Sequence, residues 1–159
     1  MRTIKFRGKT VDTGEWIIGD LIHKGDGIFI KPITDADSAA VPVDDDTVGE
    51  YTGIVDSNGV EIFEGDYVAT PNGKPWHWRI DFKRGVFVFV RSNARSPFEG
   101  FKYYSDFMLC ETLTVIGNVF DSADLRQEEL EALKALQDFD VKASLKRTQS
   151  RAQRIRQNG

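Results

Sequence analysis

One cysteine, Cys110, is the whole thiol complement of this chain. An intramolecular disulfide framework is therefore excluded, and an intracellular, reducing setting is expected. Histidine is almost as scarce, with only His23 and His77. No Ser-His-Asp or Cys-His arrangement is suggested. There is no Gly-x-x-x-x-Gly-Lys phosphate loop, no His-Glu-x-x-His and no pair of cysteines to hold a metal. Long apolar runs are missing too. The longest compact one, Val86 to Val90, falls far short of the roughly 20 residues of a membrane helix. The start, "MRTIKFRGK", has basic residues with no apolar stretch behind them, so a signal peptide is not expected. Asn-x-Ser/Thr sites, lipidation motifs and internal repeats are likewise absent from the sequence. What is present is 159 residues, 40% hydrophobic and 11% aromatic, enough for the core of one domain with an appended segment.

The net charge of −4 conceals an asymmetry. All 25 acidic residues lie at or before Asp140 and face 15 basic ones, leaving the body ten charges negative. Beyond it stand six cations, Lys142, Lys146, Arg147, Arg151, Arg154 and Arg156, and no acid. Such a split is a hint of an interaction tail.

Residues 3 to 7, "TIKFR", alternate and read as a strand. "EWIIGDLI" and "GIFIKPI" flank "HKGDG", so residues 15 to 32 read as a hairpin. Residues 33 to 47, acidic and small, read as a surface loop. Its Asp44, Asp45 and Asp46 are candidates for a divalent cation or a partner. Neighbours in an extended chain point to opposite faces, so a consecutive run chelates poorly and a solvated loop is the expectation.

"VGEYTGIVDSNGVEIFEGDYV", residues 48 to 68, carries the strongest turn signals. Asn58-Gly59 predicts a hairpin in which both turn residues take positive φ. Oxygen-bearing side chains crowd the stretch, but an EF-hand register that places Gly59 sixth puts Ile54 first, and isoleucine cannot ligate. "FEGDYV" reads as a diverging turn, with Gly65 supplying the bend and the Asp66 side chain bonding nearby amides.

"WHWRIDF" places Trp76, Trp78, Ile80 and Phe82 on one face and His77, Arg79 and Asp81 on the other. "KRG" then turns it into "VFVFV", apolar on both faces, which makes a central hairpin. Two tryptophans on a strand also suit base stacking, but the alternation favours a core. Residues 91 to 100 read as a polar loop with Arg91 and Arg95. Residues 101 to 120 hold one or two further strands, with Leu113, Val115 and Val119 inward, a bulge at Gly117 and Cys110 as an inert buried thiol. From Ser122, an expected N-cap, strong helix formers follow. Leu125, Leu130, Leu133 and Leu136 mark an apolar face, and the acids lie early, as the helix dipole favours. Arg147, Arg151 and Arg154 share one face if helical.

"IKFRGK", "GEWIIGDLI", the 48–68 stretch and "LTVIGNVFDSADL" stand in the order found in YopX proteins, a family of bacteriophages and prophages, mostly of Firmicutes. The resemblance covers about residues 1 to 125. It implies a phage-encoded, cytoplasmic, mainly β protein and brings no catalytic residues with it. The expected fold is mainly β, with small, partly open barrel-like antiparallel sheets built from hairpins and a C-terminal α-helix, α+β overall. Residues 1–121 form the β domain and residues 122–159 the helical segment with its basic tail.

No cofactor, metal or membrane is expected, and no enzymatic activity. The function expected is an accessory protein that binds a host or phage protein, as an inhibitor or regulator, through its acidic body, in the bacterial cytoplasm. The alternative is a nucleic-acid binder using the basic tail, whose five or six phosphate contacts give salt-dependent affinity against the repulsion of the acidic body. Self-association through the C-terminal helix is a further variant.

Overall fold

The computed structural model describes residues 3–33, 37–70, 77–91, 101–102, 112–131 and 134. Trp76, Cys110, Leu133, Leu136 and the tail cations Lys142, Lys146, Arg147, Arg151, Arg154 and Arg156 lie outside them. The strands are β1 (Phe6–Lys9), β2 (Trp16–Lys24), β3 (Gly27–Pro32), β4 (Val41–Pro42), β5 (Gly49–Val55), β6 (Glu61–Phe63), β7 (Asp66–Ala69), β8 (His77–Lys83), β9 (Val86–Arg91), β10 (Phe101–Lys102) and β11 (Thr114–Asn118). A short 3-10 turn covers Asp45–Thr47, and the C-terminal helix, α1, runs over residues 123–131.

Two antiparallel sheets result, ordered β4-β3-β2-β1-β5-β6 and β10-β9-β8-β7-β11. The fold is mainly β with a C-terminal helix, as expected. The first sheet curls far enough for Thr10 and Val43 to form an isolated bridge, yet neither sheet closes into a barrel. The first strand starts later than the alternation suggests, at Phe6 rather than Thr3. Lys5 already serves the neighbouring strand, its carbonyl accepting the Tyr51 amide at 2.8 Å.

The turns explain the hairpins. Gly25, at φ 61°, opens the two-residue loop between β2 and β3. Arg84 and Gly85 both take positive φ, 54° and 83°, between the paired Lys83 and Val86. This is the turn geometry that matches strand twist, and it falls here rather than at Asn58-Gly59. There, among the two, only Gly59 is left-handed, at φ 81°. Its amide bonds the Asp56 carbonyl at 3.0 Å, so the loop is a tight turn followed by one left-handed residue. The Asp56 carboxylate pins it, with Oδ1 accepting the Asn58 and Val60 amides at 2.7 and 2.9 Å. Its Oδ2 accepts the Val115 amide of β11 at 2.9 Å. These amides hold the Asp56 carboxyl below the usual range although burial pushes it up.

The main core lies between the β5–β6 hairpin and one face of the second sheet. Ile62, Val68, Ile80, Phe87, Phe89 and Leu113 are buried together, with Ile54, Trp78 and Val115 packed against them. Trp78 is therefore a core residue in the main, not a stacking platform. Phe82 keeps the expected face, its ring 5.1 Å from that of Phe87, but is 44% exposed because it stands next to the Lys83 turn, at the edge of the cluster. The register slips between Val115 and Gly117, as the expected bulge requires. A Cβ on Gly117 would come within 2.1 Å of the Ser122 hydroxyl, so the bulge needs glycine for room.

Ser122 does stand at the helix start, its carbonyl accepting the Arg126 amide at 3.1 Å. Its hydroxyl turns back to accept the Asn118 amide at 3.2 Å instead of capping the helix. The helix face also differs from the expected one. Leu130 is 44% exposed while Glu129 is 4% exposed. A buried acid needs partners, and those partners define the site below.

Candidate functional site

The two sheets meet at the diverging turn Phe63–Asp66. Gly65 is the crossing point, at φ 84°. Its amide bonds the Ile80 carbonyl of β8 at 2.8 Å and its carbonyl accepts the Val119 amide at 2.9 Å. Asp66, 1% exposed, accepts the Phe63 amide at 2.8 Å with one oxygen. The other oxygen takes Arg7 of β1 at 2.6 Å. The Arg7 guanidinium lies over the rings of Trp16 and Phe63, at 4.7 and 5.0 Å from their centroids. Beside it, Asp121 gathers Lys9, the Trp16 indole N–H at 2.7 Å and the Asn118 amide group at 3.0 Å. Segments far apart in the chain thus converge on one clamp, with Gly65 and Asp66 as its turn residues, while Asn58 and Gly59 form the turn at the other end of the β5–β6 hairpin.

The hydrogen bond from Lys9, followed by that from Asn118, holds the Asp121 carboxyl at about 2. Its unfolded value is about 3.9. The folded value is the lower one, so the stability it contributes is present above the unfolded value and lost as pH falls through about 2. A carbon-detected NMR titration should place the Asp121 midpoint near 2, and Lys9→Met should raise it toward the ordinary value. An unchanged midpoint in that variant would show that Lys9 is not the cause.

On the far side of the turn opens a cleft of about 430 Å³. Its inner end is a buried hydrogen-bond set. The Tyr67 hydroxyl donates to Glu129 Oε2 at 2.7 Å. Arg79 lies 3.1 Å from Glu129 Oε1 and 3.2 Å from Asp81 Oδ2. Burial, then the bond to Glu129, pushes the Tyr67 phenol far above its usual value. The rim is formed by Asp46, Glu64 and Asp81, and the apolar walls include Val48, Val119, Phe120 and Leu130. Burial pushes the Glu64 carboxyl up. The Phe82 amide, 3.3 Å away, lowers it, and the nearby charges of Asp81 and Glu50 raise it again, leaving a net rise. Arg126 also lines the cleft and makes no ion pair or hydrogen bond with its side chain among the described residues. Four carboxylates and two guanidiniums therefore line this space.

Of the three consecutive aspartates, Asp46 reaches the cleft. The run is not extended, as the loop reading supposed, but wound into the 3-10 turn. The Asp44 side chain caps it by accepting the Asp46 amide at 3.1 Å, while Asp45 is exposed. Among the described residues no group of three His, Cys, Asp or Glu side chains is placed to hold a metal ion. No helix of the described residues is long and apolar enough to cross a membrane. Arg79 and Asp81 were visible in sequence as one polar face of a strand. Glu129 was not, because "QEELEAL" offers several acids and only the fold chooses among them.

Fold and clamp together define a mainly β protein of two antiparallel sheets joined at a diverging turn, with a helix laid over the second sheet. The family model described as YopX protein matches residues 5–126, and the chain belongs to the YopX family. It is also similar to protein EF1440 from Enterococcus faecalis, known from a crystal structure. The two superpose with a TM-score of 0.46 at 20% identity over 79% of this chain and 99% of that one. No curated protein matches.

Proposed function

We propose that the protein is a non-catalytic accessory protein of phage or prophage origin that binds a host or phage protein and regulates or inhibits it. The supporting observation is the concentration of carboxylates at the cleft. Burial pushes the Glu64 carboxyl up, and the charges of Asp81 and Glu50 add to that rise. Asp46 and Glu64, brought together on the 3-10 turn and the diverging turn, add negative charge to the cleft, which favours a basic partner. The exposed Leu130 and Phe120 on its walls add apolar area of the kind an interface buries.

Tagged full-length protein, incubated with host lysate at physiological salt with and without nuclease, tests the reading. The expected result is one discrete protein recovered in both samples. Its capture should weaken about tenfold, equivalent to about 1.4 kcal/mol, when Asp46→Asn and Glu64→Gln are combined. Recovery of nucleic acid that vanishes with nuclease, taking every protein with it, would move the function to the basic tail. Capture unaffected by the double variant would remove the cleft from the account.

A further inference from the structure

The hairpin of β2 and β3 carries apolar side chains on both faces, and only one face is buried. Residues alternate across a strand, and directly opposed residues share a face. Ile30, with no exposed surface, marks the inner side. On the outer side Ile22 opposes Phe29 and Asp20 opposes Lys31. Ile18 extends this face along β2, and Ile33 takes the next alternate place beyond Lys31. Ile18, Ile22 and Ile33 are 40%, 36% and 52% exposed. Apolar residues grouped in this way, rather than scattered singly, mark an interaction surface. We propose that two copies of this chain associate through this face, about a twofold axis that runs along the strands between β2 and β3.

Symmetry carries the first part. An isologous contact brings the same patch of both subunits together, so the patch must match itself. Rotation about an axis between the two strands lays each β2 over the partner's β3, with strand direction and register kept. Ile22 then meets the partner's Phe29, Asp20 the partner's Lys31, and Ile18 the partner's Ile33. Each contact occurs twice. Apolar residues meet apolar residues, and the single charged row meets its opposite.

Charge carries the second part. Asp20 and Lys31 stand opposite each other in the ladder, yet among the described residues neither side chain makes an ion pair or a hydrogen bond. The cations of the neighbouring β1 behave otherwise. Lys5, Arg7 and Lys9 are each bridged, to Glu61, Asp66 and Asp121. The hairpin therefore leaves one acid and one cation unpaired in the middle of an apolar face, at the two positions where a second copy supplies the opposite charge. A partner of unrelated sequence would require no such self-match.

Sedimentation of the full-length protein over a dilution series tests the contact. A monomer–dimer equilibrium is expected, with a dissociation constant in the micromolar range, as suits an interface at the small end of the size scale. Asp20→Lys alone and Lys31→Asp alone each set like charges face to face, and each should weaken the dimer by about tenfold or more. The double variant, Asp20→Lys with Lys31→Asp, restores opposite charges across the axis and should return to within about threefold of the unsubstituted protein. Urea midpoints, compared at dilutions where every form is monomeric, should agree among the four proteins and report that each variant is folded. A protein that stays monomeric throughout the series overturns the proposal. So does a dimer that either single reversal leaves intact, which would place the contact on another surface. A dimer lost in the single variants and not recovered in the double variant removes the twofold pairing and overturns it as well. None of these residues lines the cleft, so capture of a protein there and association of two copies here succeed or fail separately.

Discussion

Asp66→Ala is expected to destabilise the protein by about 3–5 kcal/mol, the usual cost of removing one member of a buried ion pair. The mechanism is the orphaning of two groups at once. Arg7, 11% exposed along its side chain, would keep its charge in the interior with only the Glu64 carbonyl, at 3.2 Å, to receive it. The Phe63 amide would lose its acceptor and the diverging turn would lose its brace. Burial pushes the Asp66 carboxyl above the usual range, against the pull of Arg7 and of the Phe63 amide. The ionised pair is thus retained for geometry more than for its net attraction. Urea unfolding followed by tryptophan fluorescence gives the number. Replacing both partners, Arg7→Met with Asp66→Leu, should recover part of the loss, since neither charge is then stranded. A single variant that loses less than about 1 kcal/mol would place the pair in the class of surface bridges.

Glu129→Ala ranks second, at about 2–3 kcal/mol, the range for losing hydrogen bonds to a charged group. Tyr67, with no exposed surface, would be left with a buried hydroxyl and no acceptor. Arg79 would suffer less, because Asp81 still holds it. The loss should be local as well as global. Amide exchange over residues 123–131 should accelerate more than over β8 and β9, since Glu129 ties the helix to the sheet. Glu129→Gln, which keeps the carbonyl acceptor and drops the charge, should fall between the two. Alkaline pH tests the same bond. The Tyr67 phenol is raised in the fold, so its contribution is complete below its unfolded value of about 10 and is lost as pH rises beyond it. In Glu129→Ala that alkaline loss should shrink.

The hairpins and the diverging turn were legible because backbone conformation leaves a local trace. Gly25, Gly65 and Gly85 stand where φ is positive, and no distant residue is needed to see why. The bulge at Gly117 was legible for the same reason. Asn58-Gly59 misled by one residue because its turn is set by the Asp56 carboxylate, which also reaches Val115 on a strand 59 positions away. Glu129 was hidden on the same principle, since its partners Tyr67 and Arg79 lie 62 and 50 positions back in the chain. Helical periodicity pointed Leu130 inward, and the buried charge rotated the helix instead. The site was less legible than the fold because the acids of the rim come from the 3-10 turn, the diverging turn and β8, each of which reads as ordinary solvated surface on its own.

The clamp at the diverging turn also fixes an order of events during synthesis. Arg7 leaves the ribosome well before its partner, since the carbonyl it bonds at Glu64 lies 57 positions later. Lys9 waits longer still, for a carboxylate 112 positions away. Closing such loops loses chain entropy before any contact is made, and folds dominated by distant pairings mature in roughly milliseconds to seconds. Until Asp66 has emerged β1 carries two cations whose partners do not yet exist, and until Asp121 has emerged Lys9 still lacks its own. A nascent chain halted before Asp121 holds the hairpin of β2 and β3, whose turn is local, and both members of the Arg7–Asp66 pair, but not the carboxylate that gathers Lys9 and Trp16. The seating of β1 is therefore completed only by a carboxylate made 112 positions after Lys9.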